Sequence, residues 1–318
     1  MAAPRLRETD ERTQPSPLAR YTAVATAGAA VVIRHYSTSF GLACRLLGPG
    51  KREEIENVYA LVRIADEAVD GAAAEAGLST EAILDQLDRL QEEVSSAIAL
   101  GYSTNPVVHA FAGTARRAGI GAELIEPFFA SMRRDCDPHG HSDASLGAYI
   151  YGSAEVVGLM CLRVFLAGLS VLPAERARLE HSARRLGAAF QKVNFLRDLG
   201  QDGQELGRSY FPGVDPLHLT EEQKAALLLD LRADLDEALE GLRRLPGTAR
   251  RAVALAHSLF SELADRIAAC PAEVLVTTRI RVPTHVKLRL AAAAMAGTGP
   301  AFARDGARLP AQGEGRAA

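Results

Sequence analysis

The chain has 318 residues, of which 48% are hydrophobic, 24% charged and 5% aromatic, and its net charge is -3. That length and apolar content suit one large domain with its own core, and the near-neutral charge argues against a nucleic-acid partner. The four cysteines (Cys44, Cys136, Cys161, Cys270) are scattered and form no C-x-x-C, which argues against a disulfide framework or a zinc site and fits a reducing cytoplasm.

Residues 1–18 mix acids, bases and prolines without an apolar stretch, so they read as a disordered tail and not as a secretory leader. From there the periodicity predicts helices over 21–46, 52–71, 80–100, 105–118, 122–134, 145–170, 173–202, 220–243, 247–269 and 284–296, with no strand alternation. Residues 19–296 are expected to form a single all-α domain, and 297–318 a second disordered tail. Gly71 is expected to end the helix carrying Asp70, and Gly203 the one carrying Asp202. Thr220 with Gln223 forms a capping box, and Pro212 and Pro216 mark a loop over 208–219. The apolar runs at 22–33 and 156–172 are too short, or broken by Arg163, to predict a membrane span.

Two predicted helices carry the chemistry. In YALVRIADEAVDG, at about 100° per residue, Tyr59, Arg63, Asp66 and Asp70 share one face. Carboxylates one turn apart repel unless a cation lies between them. Hard oxygen donors suit magnesium, which completes its shell with water and phosphate oxygens. Arg63 adds a fork for phosphate. In QKVNFLRDLGQDG, Gln191, Asn194, Asp198 and Asp202 form a second stripe, with Arg197 beside Asp198. The flanks of that helix are apolar, so two carboxamides and two acids on an interior face need partners. A metal and a diphosphate would supply them.

These segments resemble the squalene and phytoene synthase family. VRIADEAVD resembles the family's C-R-x-x-D-D-x-x-D, with Glu67 at the middle acid, and the second segment matches Q-x-x-N-x-x-R-D-x-x-x-D in full. YSTSFGLACRLLG looks like the H-S-K-S-F opening, AYIYGSAEVVGLM like Y-x-x-x-x-A-x-x-V-G, GRSYFP like G-R-x-Y-x-P, and RIRVPTHVKL like a basic C-terminal segment. The pattern is most like bacterial phytoene synthases. Tyr36 and Thr38 depart from the family's opening histidine and lysine.

The resemblance implies an isoprenoid-synthase helical bundle around a central active-site cavity. It implies that Asp66, Asp70, Asn194, Asp198 and Asp202 hold magnesium, with manganese as a substitute, and that no NADPH is needed. It further implies that Tyr59 and Tyr149 sit at the reacting centre. Ser37, Ser39, Arg63, Gln191, Asn194 and Arg197 would bind diphosphate, with Arg208, Tyr210 and Lys287 as outer contacts. The implied reaction joins two geranylgeranyl diphosphates head to head, the first committed step towards carotenoids. Squalene, dehydrosqualene or presqualene diphosphate synthesis from farnesyl diphosphate is the alternative, and an inactive scaffold the second. The implied partners are prenyl diphosphates and downstream carotenoid enzymes. RVPTHVKLRL is basic and amphipathic, a candidate for contact with a membrane surface by a cytoplasmic protein. DCDPHGHSD, with His139 and His141, reads as a polar loop; the resemblance implies a secondary role in the site for Asp135 within it.

Overall fold

The computed structural model describes residues 14–137, 141–205 and 210–302, apart from the side chains of residues 201, 202, 204 and 205, and contains no strand among them. Arg208, His139 and the side chain of Asp202 therefore lie outside the described residues. The helices are α1 Pro17–Tyr36, α2 Thr38–Cys44, α3 Pro49–Val69, α4 Ala72–Glu75, α5 Thr80–Leu100, α6 Pro106–Ala118, α7 Ala122–Arg134, α8 Asp143–Ile150, α9 Val156–Leu166, α10 Pro173–Glu205, α11 Glu221–Leu242, α12 Gly247–Ala269, α13 Ala272–Leu275 and α14 Thr284–Ala296.

Their ends follow from local chemistry. Ser16, Ser79 and Asn105 cap α1, α5 and α6 through their side-chain oxygens. Gly71, Gly101 and Gly119 take the left-handed conformation just past α3, α5 and α6. Thr220 and Gln223 form the expected reciprocal capping box.

Three expected helices differ. The single helix predicted over 21–46 is broken at Ser37, whose backbone is extended (φ -140°, ψ 110°) and whose hydroxyl accepts the Phe40 N–H at 3.1 Å. The run predicted over 145–170 starts at Asp143 and is interrupted by a π turn at Tyr151–Glu155. Such turns add one residue to the ladder and often occur at functional sites. Gly203 does not end α10, which runs on to Glu205; a Cβ there would lie 2.9 Å from Pro216 Cβ, so the glycine permits close approach of the loop. Near the C-terminus, Pro300–Phe302 forms a 3-10 turn with Ala301 buried, inside the stretch expected to be a tail.

The core has two principal parts. One gathers Phe111, Phe128, Phe129, Leu61 and Met160; the other surrounds α10 through Val193, Leu196, Leu199, Leu231 and Ile267. Each fully buried Leu or Phe contributes about 1.5–3 kcal/mol relative to exposure. The register of α10 on α11 is set by a buried ionic group. Asp234, 4% exposed, accepts from Arg185 at 2.9 Å and Lys192 at 2.6 Å. Against α9 and the π turn before it, α10 comes close through two glycines. A Cβ on Gly158 would lie 2.5 Å from Ala183 O, and one on Gly187 2.5 Å from Ala154 O. By length and hydropathy the stretch Asp143–Leu166 could cross a membrane, but 61% of its most apolar window is buried inside the protein.

Candidate active site

Helices α2, α9, α10, α11 and α12, together with α3 and the π turn, enclose a cavity of about 260 Å³ with an almost wholly apolar wall. Leu179, Leu242 and Leu245 form part of that wall, and its few polar side chains include Ser153, Gln191 and Asn194. Asn194 Oδ1 is buried without a hydrogen-bond partner, as is Ser153 Oγ. An acceptor so placed carries an unmet desolvation cost that a bound cation or donor would relieve. Phe40, Phe190 and Phe260 pack together beside the cavity, the last two stacked at 3.8 Å.

Helix α3 presents the first stripe. Arg63 donates to Asp66 at 2.5 Å, pairs also with Glu67, and stacks over the Tyr36 ring at 4.6 Å. Burial, more than any other cause, raises the Asp66 carboxyl above its ordinary pKa. The like charge of Asp70 adds to this, Arg63 opposes it, and Asp135 and Glu67 push it further up. Arg63 thus sits among acids whose mutual repulsion a cation beside them would relieve. Tyr59 is half-buried and hydrogen-bonded to Ser37; burial is the main reason its hydroxyl is held above the usual range.

Helix α10 presents the second stripe. Gln191 and Asn194 reach the cavity, and Asp198 lies beyond them between two guanidinium groups. Arg197 Nε donates to Asp198 Oδ1 at 2.9 Å and its NH2 to Oδ2 at 2.5 Å; Arg279 Nε reaches Oδ1 at 2.8 Å. Arg279 was not expected from the sequence, since 81 residues separate the pair. Its sole advance signal is that it lies in the basic segment before α14. Two guanidinium groups thus converge on the Asp198 carboxylate, an arrangement with the donors to hold an anion.

A third strand of contacts joins the two. The Tyr149 hydroxyl donates to Asp135 Oδ1 at 2.6 Å, and Ser131 Oγ donates to the Tyr149 carbonyl at 3.1 Å. Asp135 in turn presses electrostatically on Asp66, so Tyr149, Asp135 and Asp66 share one neighbourhood. Tyr210, expected among the outer contacts, has its ring 6% exposed and stacked on Phe195 at 4.0 Å, in an aromatic group with Tyr149 and His141. Lys287 Nζ donates to Thr38 Oγ1 at 2.8 Å, which brings the start of α14 to the start of α2. Ser39 is half-buried on α2.

Among the described residues no group of three His, Cys, Asp or Glu side chains is assembled as a metal cage. The available donors are carboxyl and amide oxygens. Such a set suits a hard cation held by one or two carboxylates and completed by a ligand's phosphates.

The family model for squalene/phytoene synthase matches residues 33–286. The chain is 29% identical over 292 residues to the phytoene synthase of Mycobacterium tuberculosis (strain ATCC 25618 / H37Rv), covering 85% of this chain and 91% of that one. It is 30% identical over 306 residues to chloroplastic phytoene synthase 3 of Zea mays, covering 90% and 68%. A solved dehydrosqualene synthase superposes with a TM-score of 0.70 at 21% identity over 87% of this chain and 97% of its own. Squalene synthase HpnC from Alicyclobacillus acidocaldarius gives 0.65 at 22% over 81% and 97%. These structures share the all-α isoprenoid-synthase fold. With the match running from the end of α1 into α14, the chain belongs to the squalene/phytoene synthase family.

Proposed function

We propose that the protein is a prenyltransferase of the phytoene synthase type, condensing two geranylgeranyl diphosphates head to head through a cyclopropyl diphosphate. The observation that carries this reading is an apolar cavity flanked by acid- and arginine-bearing stripes of α3 and α10. An amphiphile with a long apolar tail and a diphosphate head matches that division of polarity. Relatives named phytoene synthase support the choice of reaction.

Magnesium, or manganese in its place, fits Asp66, Asp70, Asn194, Asp198 and Asp202: the acids of α3 crowd one another, and Asn194 Oδ1 has no partner of its own. When bound, the metal would neutralise the diphosphate charge and make it a competent leaving group. Arg63, Arg197 and Arg279 bind and orient the diphosphate as charge develops on it. Ser37, Ser39, Gln191, Lys287, Arg208 and Tyr210 complete the substrate-binding set. The apolar wall keeps water from the allylic cation. Attack by the second substrate's double bond and loss of a proton close the cyclopropane; a second ionisation, rearrangement and proton loss give phytoene.

Tyr149, with its hydroxyl bound to Asp135, is placed to move a proton, and Tyr59 lies along the first stripe. Tyr149→Phe is expected to lower turnover about a hundredfold with little change in KM. Unchanged turnover in the purified variant would remove Tyr149 from proton transfer.

The substrate itself is tested by incubating the protein with magnesium and either geranylgeranyl or farnesyl diphosphate, with and without NADPH, and separating the products. Phytoene from the first substrate, with no need for NADPH, is expected. A C30 product from farnesyl diphosphate alone would replace this reading with squalene- or dehydrosqualene-type synthesis, and no product from either would favour a scaffold. A cytoplasmic location and work alongside downstream carotenoid enzymes accompany the proposal.

A further inference from the structure

Three successive residues at the break between α1 and α2 each touch a residue of the candidate site. Ser37 is hydrogen-bonded to Tyr59, and Thr38 accepts from Lys287 at 2.8 Å. Tyr36, the last residue of α1, lies against Arg63 of α3, whose guanidinium carbon is 4.6 Å from the ring centroid. Ser37 and Lys287 belong to the proposed substrate-binding set, whereas Tyr36 has no part in the reaction as derived above. Tyr36 is 52% exposed, so its ring adds little to the core and its loss should leave the fold intact.

Arg63 is held from three directions. One terminal nitrogen donates to Asp66 at 2.5 Å, the other pairs with Glu67, and the Tyr36 ring covers a face of the guanidinium. Among the described residues, Arg63 Nε is buried and donates to no acceptor. A buried donor left unmet carries a cost that a phosphate oxygen within reach would remove.

The Asp66 contact conflicts with the chemistry. Asp66 is one of the proposed magnesium ligands, and a cation on its carboxylate takes up that charge and repels the guanidinium. The Tyr36 contact has no such conflict. An aromatic face attracts a guanidinium through its quadrupole and occupies none of its N–H groups. It survives metal binding and leaves the edge of the fork for phosphate.

We propose that Tyr36 is a positioning residue for diphosphate binding: its ring holds the Arg63 guanidinium beside the α3 acids while magnesium takes Asp66 and the N–H groups turn to phosphate. This role rests on the diphosphate reading of the site given above.

The test is titration of magnesium and inorganic pyrophosphate into the full chain, beside kcat/KM for geranylgeranyl diphosphate. Tyr36→Leu keeps an apolar side chain and removes the aromatic face. It should weaken pyrophosphate binding about fivefold, the size of a partly exposed cation–π contact, and lower kcat/KM in step, with the melting temperature in chelator unchanged. Tyr36→Phe should restore both quantities, because it keeps the ring. In an Arg63→Ala background, Tyr36→Leu should cost nothing further, since the contact it removes is already gone. Wild-type binding in Tyr36→Leu would overturn the proposal, as would losses that add fully to those of Arg63→Ala. A Tyr36→Phe variant as weak as Tyr36→Leu would also overturn it and assign the effect to the hydroxyl. These three results leave the proposed reaction standing, whereas a wild type that neither binds pyrophosphate with magnesium nor turns over a prenyl diphosphate would overturn both.

Discussion

Asp198→Ala is expected to lower product formation on the order of a thousandfold while leaving the protein folded. Asp198 is the point at which Arg197 and Arg279 meet and is one of the proposed metal ligands, and removing it leaves two guanidinium groups without the anion that orients them. The stability cost should be small, since the Arg279 side chain is 44% exposed and its pair with Asp198 is weakened by solvent. The measurement is single-turnover product formation beside a thermal melt. Adding magnesium and inorganic pyrophosphate together should raise the wild-type melting temperature and leave that of the variant unmoved. Full activity would sink the metal and diphosphate assignment on α10.

Asp66→Asn is a contrasting case on α3. It should lose activity equally, yet melt higher than the wild type in chelator. The reason is electrostatic: Asp66 is raised in the folded state by burial and by Asp70, so its charged form is disfavoured there. A carboxyl whose folded pKa lies above its unfolded one costs stability as pH rises from the unfolded value through the folded one. The advantage of Asp66→Asn should therefore be present near neutral pH and vanish in acid, where the wild-type carboxyl is protonated in both states. A variant less stable than wild type across the whole range would show that the crowding of acids on α3 is not felt.

The second large effect concerns Gly200. A Cβ at this position would lie 1.8 Å from Val276 O, a contact that backbone must relieve by moving. Gly200→Ala should push the end of α13 off α10 and destabilise the fold by about 1–3 kcal/mol, or more if the helices cannot part. It should also cut activity, because Val276 is three residues from Arg279, and Arg279 must reach Asp198, two residues before Gly200. The control is Gly147→Ala, at an exposed position with no heavy atom within 4 Å of the added carbon. There the gain in helix propensity should be neutral or stabilising. Denaturant melts of both variants decide it; equal stability of Gly200→Ala and wild type would refute the close packing of α13 on α10.

Much of this was legible in the chain, because it depends on local chemistry. The helical class, the capping box at Thr220 and Gln223, and the left-handed glycine after α3 follow from periodicity and short-range sterics. Both polar stripes follow from four-residue spacing, which places side chains on one helix face whatever the helix packs against. The errors have local causes of a different kind. At Ser37 an apolar run hid a hydroxyl whose bond to Phe40 N–H competes with the helical ladder and splits α1 from α2. The π turn after Tyr151 inserts one residue into an apolar stretch, which leaves no mark in composition. At Gly203 the glycine was taken as a helix end, when the approach of Pro216 is what calls for it.

The sequence by itself determined which residues could carry charge and on which helix faces they would stand. Tertiary structure alone decided what those residues meet. Arg279 meets Asp198, Tyr149 meets Asp135, and Asp135 acts on Asp66 because packing brings distant segments together, under glycine contacts that periodicity does not record. Tyr210, assigned from its motif to an outer contact, has its ring stacked on Phe195 of α10, a pairing that no local spacing records. Helical spacing is a property of a few neighbouring residues, whereas pairing and burial depend on the whole chain.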